Sequence, residues 1–219
     1  MKNLESPSEP GQHADGTGRL VLASASPRRR QILSEAGLKF EVRPSTIEER
    51  ARAGESPEGL AERLAREKAL DVARELAQGP ARPVLGADTI VVLDGEAFGK
   101  PRDEAHAVEM LSRLVGRTHR VMTGIALAWT DGRSLESRVV TSEVEMRPAT
   151  RAELIEYVAL GESLDKAGAY ALQGGAIQFV TRVFGSRSNV IGLPREETLA
   201  LLERSGAVRI PRDAPIPPA

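Results

Sequence analysis

The sequence predicts a mixed α/β domain, a twisted sheet with helices packed against it. Two observations carry this prediction. Apolar runs of strand length alternate with amphipathic stretches bounded by helix caps, the pattern of helices laid on a sheet. Two of the strands flank Asp131-Gly132, a pair suited to a tight hairpin, so the sheet cannot be wholly parallel.

The elements follow in order. Leu20 to Ala23 is a first strand. Ser26 then supplies an N-cap hydroxyl and Pro27 fills the first helical position, where its missing N–H is no loss; Gly37 closes this helix. Lys39 to Arg43 is a second strand, followed by a loop containing TIEER and AGES. Ser56-Pro57 starts a long helix ending near Gly79. Val84 to Leu93 is an apolar strand interrupted by Asp88, and Asp94-Gly95 turns the chain. Asp103 caps a helix ending at Gly116, after which Val121 to Trp129 and Val139 to Met146 form the hairpin. Thr150 and Glu153 make a capping box for a helix up to Gly161. A Gly-rich segment containing DKAGAY precedes a strand, Phe179 to Phe184, and a last helix, Pro194 to Ser205.

With 219 residues, 41% of them apolar, the chain buries one core. Residues 1–18, polar and rich in Gly, Ser and Pro, read as a disordered leader without the apolar stretch of a secretory signal. Residues 19–206 form the domain, and residues 207–219 a Pro-rich tail. No apolar run reaches the ~20 residues of a membrane span. The absence of cysteine excludes disulfides and thiolate metal sites, and His13, His106 and His119 are too scattered for a zinc cage. Cytoplasm is the expected compartment. Thirty Lys and Arg oppose 31 Asp and Glu, so no global field draws the chain to nucleic acid or membrane. One Trp, two Tyr and four Phe offer few stacking platforms for a nucleic acid.

Candidate functional residues are charges placed where the pattern asks for apolar groups. Asp88, in VLGADTIVVL, needs a cation, a metal or a wet cleft beside it; otherwise the strand ends at Ala87. Lys68 falls inside the stripe Leu60, Leu64, Val72, Leu76, where it either snorkels to water or points its ammonium into a cleft. Lys100 in FGKPRD and Glu48 and Glu49 in TIEER are loop charges that say little alone. In LASASPRRR, Ser24 and Ser26 bring hydroxyls to a strand end while a helix N-terminus brings free N–H groups. Arg28 and Arg29 add guanidinium forks there, so the site suits an anion with several oxygens. It is not a Walker A loop, because Gly95 and Gly99 enclose three residues and Pro101 follows Lys100. Nor is there a dinucleotide fingerprint, since Gly16-Thr17-Gly18 precedes the first strand.

Taken together and in order, LASASPRRRQIL, GADTIVVLDG, GKPRD, HRVMTG, DKAGAYALQG and NVIGLP closely resemble the Maf family of nucleoside triphosphate pyrophosphatases, over Leu20 to Ser205. The resemblance implies two lobes around a central cleft, as in Maf and ITPase folds. It also implies hydrolysis between the α- and β-phosphates, with Mg²⁺ or Mn²⁺, in a homodimer. By position, Asp88 matches the catalytic base and a metal ligand, Glu49 the acidic metal-side residue, and Ser24 the strand-end hydroxyl. Arg28, Arg29, Lys68 and Lys100 match the phosphate-binding cations, while Thr89 and Gln173, with Arg28, fall where the base is chosen. DKAGAYALQG is similar to the subgroup acting on dTTP and UTP rather than to that preferring 7-methyl-GTP. Gln173 offers the donor and acceptor that uracil or thymine needs, or else ties down its own loop. A free aspartate is a weak base for water, which is why the implied metal matters. The departures are a longer leader and Ala25 where glycine is familiar. The other role implied is a nucleotide-binding regulator of cell division that does not turn its ligand over; it would need the cations but not the base.

Overall fold

The computed structural model describes residues 19–208; the expected leader and residues 209–219 of the expected tail lie outside this range. The elements are β1 (Leu20–Leu22), α1 (Pro27–Glu35), β2 (Phe40–Val42), α2 (Pro57–Glu75), β3 (Pro83–Leu93), β4 (Glu96–Phe98), α3 (Glu104–Leu114), β5 (Thr118–Trp129), β6 (Leu135–Met146), α4 (Arg151–Val158), β7 (Val180–Phe184), α5 (Arg187–Ile191) and α6 (Arg195–Arg204). They form a seven-stranded sheet in the order β2-β1-β3-β5-β6-β7, with β4 paired to β3 off this path. β1 runs parallel to β2 and β3, and the remaining pairs are antiparallel, so the sheet is mixed as expected.

Local chemistry sets the element ends. The Ser26, Ser56 and Asp103 side chains each accept from a first-turn N–H, and Thr150 with Glu153 forms the full capping box. Gly37, at φ +73°, takes the left-handed conformation that lets the chain leave α1. Two elements were not expected. β4 is only three residues long and follows the Asp94-Gly95 turn directly; α5 sits inside NVIGLP, too short to show a period. α2 stops at Glu75 and not near Gly79, because Leu76 already closes back on Val72 and Gly79 on Leu76. Phe179 precedes β7 rather than opening it, its ring set edge-on to Tyr157 in the core. Ala207 and Val208, assigned to the tail, pack on the core instead.

Alternation along the strands separates the two faces of the sheet. Even-numbered residues of β3 face α2: Ile90 and Val92 meet Leu60, Ala61 and Leu64, while Val84 meets Ala65, Ala69 and Val72. Odd-numbered residues face the other way. Leu85 and Ala87 pack in a cluster with Ile32, Leu33 and Leu201, from α1 and α6. Val91 and Leu93 pack with Leu111, Leu154 and Tyr157, from α3 and α4. These two clusters are the two lobes, and β3 and β5 run through both.

α2 lies unusually close to the sheet. A Cβ on Gly86 would stand 2.3 Å from the Ala65 carbonyl oxygen, and one on Gly124 2.2 Å from that of Ala61. Glycine on the strands and alanine on the helix therefore let backbone approach backbone. Asp88 stands one even position beyond Gly86 and pairs in register with Gly124. This seating brings the turn of α2 that carries Lys68 down onto Asp88.

Candidate active site

The cleft opens at a gap in the sheet. β1 pairs with β3 only as far as Leu22–Leu85, and β4 begins at Val91–Phe98, so Asp88 and Thr89 lie on a stretch of β3 edge that neither covers. A cleft of about 700 Å³ meets the chain there. It gathers Arg28, Arg29, Lys68, Lys100 and Lys166 against the carboxylates of Glu49, Asp88 and Asp165. A chain of net charge −1 thus concentrates an excess of positive charge in one groove.

At its centre Lys68, 7% exposed, donates to Asp88 Oδ1 and Glu49 Oε1, each at 2.6 Å, and Asp88 is itself 6% exposed. Asp88 lies within β3 and not at its end, and Lys68 turns into the cleft rather than out to water. Lys100 Nζ donates to Glu49 Oε2 at 2.8 Å, so the loop between β2 and α2 is clipped to both lysines by one carboxylate. Burial acts to raise the Glu49 pKa, but the charge of Lys68 and the hydrogen bonds from Lys100 and Lys68 outweigh it. The result is a fall from 4.5 to about 2.

The two arginines divide. Arg28 is half-buried, lines the cleft, and has no ion-pair or side-chain hydrogen-bond partner among the described residues. Arg29 is turned inward: Nε donates to Gly192 O at 2.8 Å, Nη1 to Ser24 Oγ at 3.0 Å and Nη2 to Thr89 Oγ1 at 3.1 Å. Burial pushes its pKa below the ordinary value, against the pull of Asp88 and then Glu49. Arg29 is thus a fixed positive charge in the cleft wall that also binds Ser24 and Thr89. Arg30 is exposed.

The carbonyl of Gly192 was not legible beforehand, and α5 explains it. Asn189, fully buried, donates to Val121 O at 3.1 Å and Ser142 Oγ at 2.9 Å, while Thr123 Oγ1 donates to the Asn189 carbonyl. Gly192, at φ +129°, then turns its carbonyl toward Arg29 and Thr89, joining residues near the two ends of the described chain.

On the odd face of β3 a smaller pocket of about 40 Å³ opens between the lobes, walled by Thr89, Val121, Tyr170, Gln173 and Ile191. Gln173 is exposed, lines this pocket, and its amide hydrogen-bonds no protein group among the described residues. Tyr170 is held at its hydroxyl by His119 Nε2 at 2.8 Å, and the Ala171 N–H donates to Tyr157 Oη at 3.2 Å. Gly168 and Ala169 both have positive φ, and Gly168 N–H donates to Gly99 O, which ties this wall to the Lys100 loop.

Among the described residues no group of three or more His, Cys, Asp or Glu side chains would hold a metal unaided. Glu49 and Asp88 nonetheless offer hard oxygens without nitrogen or sulfur, donors that would suit Mg²⁺ or Mn²⁺. No helix of the described residues is long and apolar enough to cross a membrane.

The chain resembles several proteins named dTTP/UTP pyrophosphatase. The one from Myxococcus xanthus is 52% identical over 187 residues, 85% of this chain and 92% of that protein. Those from Salmonella typhimurium and Geobacter sulfurreducens are 49% and 48% identical over 198 and 191 residues, covering 89% and 87% of this chain and 96% and 98% of theirs. The family model described as Maf-like protein matches residues 19–205, which takes in both lobes, the cleft between them and every candidate residue above, and the chain belongs to that family.

Proposed function

We propose that this chain is a nucleoside triphosphate pyrophosphatase that hydrolyses dTTP and UTP to the monophosphate and pyrophosphate. The observation that carries the reading is the buried contact of Asp88 with Lys68 at the centre of a groove rich in cations. Arg28, Lys68 and Lys100 take the phosphate oxygens, with Arg29 adding its charge from the cleft wall. Phosphate competes with Asp88 and Glu49 for the Lys68 ammonium. Asp88 accepts the proton of the attacking water, the bridging oxygen between the α- and β-phosphorus departs with pyrophosphate, and the water oxygen completes the monophosphate. A divalent cation held by Glu49 and Asp88 would neutralise phosphate charge and make a bound water more acidic.

The pyrimidine preference is supported by the names of the relatives and by the groups that line the small pocket. The free amide of Gln173 there matches the O4 and N3–H edge of thymine or uracil. The cysteine-free composition fits the cytoplasm. We take the working unit to be a homodimer, since Ile155, Leu160, Leu164 and Ile177 are exposed apolar surface that a second copy would cover; light scattering after size-exclusion chromatography reads this directly.

The test is pyrophosphate release from a panel of triphosphates with Mg²⁺ or Mn²⁺. The parent chain should turn over dTTP and UTP, and Asp88→Asn should lose about 10²- to 10⁴-fold in rate while still binding them. Binding without turnover by the parent chain would leave a nucleotide-binding regulator and refute the hydrolase.

A further inference from the structure

The cleft and the small pocket meet, and only a few side chains line both. Arg28 and Lys166 are the two cations among them. Lys166 was no part of the expected phosphate site, and it sits in the DKAGAY segment on the opposite lobe from Arg28. Its side chain is 12% exposed, whereas that of its ion-pair partner Asp165 is 71% exposed. An adjacent-residue pair on an open surface leaves the longer, more flexible lysine in water; here the lysine side chain is the sheltered member. Arg28 acts on the same carboxylate: burial works to raise the Asp165 pKa, but the hydrogen bond from Lys166, its charge and that of Arg28 bring it below the ordinary value. Asp165 therefore stands near two cations at the junction, one of which, Arg28, has no ion-pair or side-chain hydrogen-bond partner among the described residues.

The junction has a chemical meaning under the function proposed above, on which this inference rests. With the base in the small pocket and the terminal phosphates near Lys68 and Lys100, the sugar and the α-phosphate must span the space between. Asp88 and Thr89, adjacent on β3, line the cleft and the junction respectively. We infer that Lys166 binds the α-phosphate, exchanging Asp165 for a non-bridging oxygen and gripping, with Arg28, the phosphate that stays with the nucleoside. Lys68 and Lys100 then serve the departing pyrophosphate. Cations from both lobes thus grip the α-phosphate, and the bond that breaks lies between them and the pair Lys68 and Lys100.

The experiment isolates the phosphate by comparing two ligands that differ only in it. Affinities of thymidine and thymidine monophosphate are measured by calorimetry for the parent chain, Lys166→Met and Lys166→Arg. The parent should prefer the monophosphate, and Lys166→Met should cut that preference about tenfold or more while leaving thymidine affinity within twofold. Lys166→Arg, which keeps the charge, should retain most of it. An unchanged preference in Lys166→Met would overturn the assignment. Equal weakening of both ligands would overturn it as well, since that is the mark of a damaged pocket wall. Circular dichroism confirms that each variant is folded, and Lys166→Gln, which also removes the charge, is read in the same way if Lys166→Met is not. Failure of the parent chain to release pyrophosphate would sink the proposed hydrolysis while leaving the binding comparison readable.

Discussion

Replacing Gly86 by alanine tests how the site is built without touching any charged group. The new Cβ would lie 2.3 Å from Ala65 O and 2.7 Å from Ala69 N, the residues that bracket Lys68 on α2. A carbon rests against a carbonyl oxygen at about 3.3 Å or more, so this turn of the helix must retreat by about 1 Å. Overpacking of this kind costs roughly 3 kcal/mol, or a fall in Tm of roughly 6 to 12 °C for a domain of this size. The same displacement carries the Lys68 stem away from Asp88, stretching a contact that stands at 2.6 Å, and a 1 Å misplacement near the chemistry costs about 10²-fold in rate. Thermal unfolding and pyrophosphate release from dTTP are the assays. Gly79→Ala is the control, because its nearest neighbour is an ordinary 3.6 Å away and the residue lies outside the cleft. Parental Tm and turnover in Gly86→Ala would refute the claim that helix seating places Lys68. A lower Tm with unchanged turnover would refute its link to the chemistry.

Two further predictions concern pH, in windows that barely overlap. Glu49 falls from 4.5 to about 2 on folding, so its stabilising contribution is present above pH 4.5 and is lost as the pH drops through 2; Glu49→Gln should flatten this part of an acid unfolding curve. Burial lowers the His119 pKa from 6.5 to about 4, so between these values the unfolded chain binds a proton that the folded one does not. Stability should therefore fall by up to about 3 kcal/mol as the pH goes from 6.5 to 4, and denaturant midpoints of His119→Gln should show little slope there.

How far the site was legible depends on what kind of group does the work. Asp88 and Lys68 were visible because each breaks an apolar pattern, and the structure brings them into contact. Glu49 and Lys100 break none; only the resemblance pointed to them, and their meeting across the groove depends on a loop that no periodicity describes. Arg29 was read as a ligand for anions from its place at a helix start; not legible was that Nε, Nη1 and Nη2 each also donate to a protein oxygen. Its main partner is the carbonyl of Gly192, and a carbonyl has no letter of its own in a sequence. Gly86 and Gly124 went unremarked for a related reason, since glycine in a strand signals a close approach without naming what approaches. Lys166 escaped notice because an adjacent Asp-Lys pair reads as ordinary surface.

The hydrogen bond from Arg29 Nε to Gly192 O closes a loop of 163 residues. During synthesis the groove is therefore left without its back wall until α5 has emerged from the ribosome, and a chain halted earlier keeps Arg29, Ser24 and Thr89 without their common anchor.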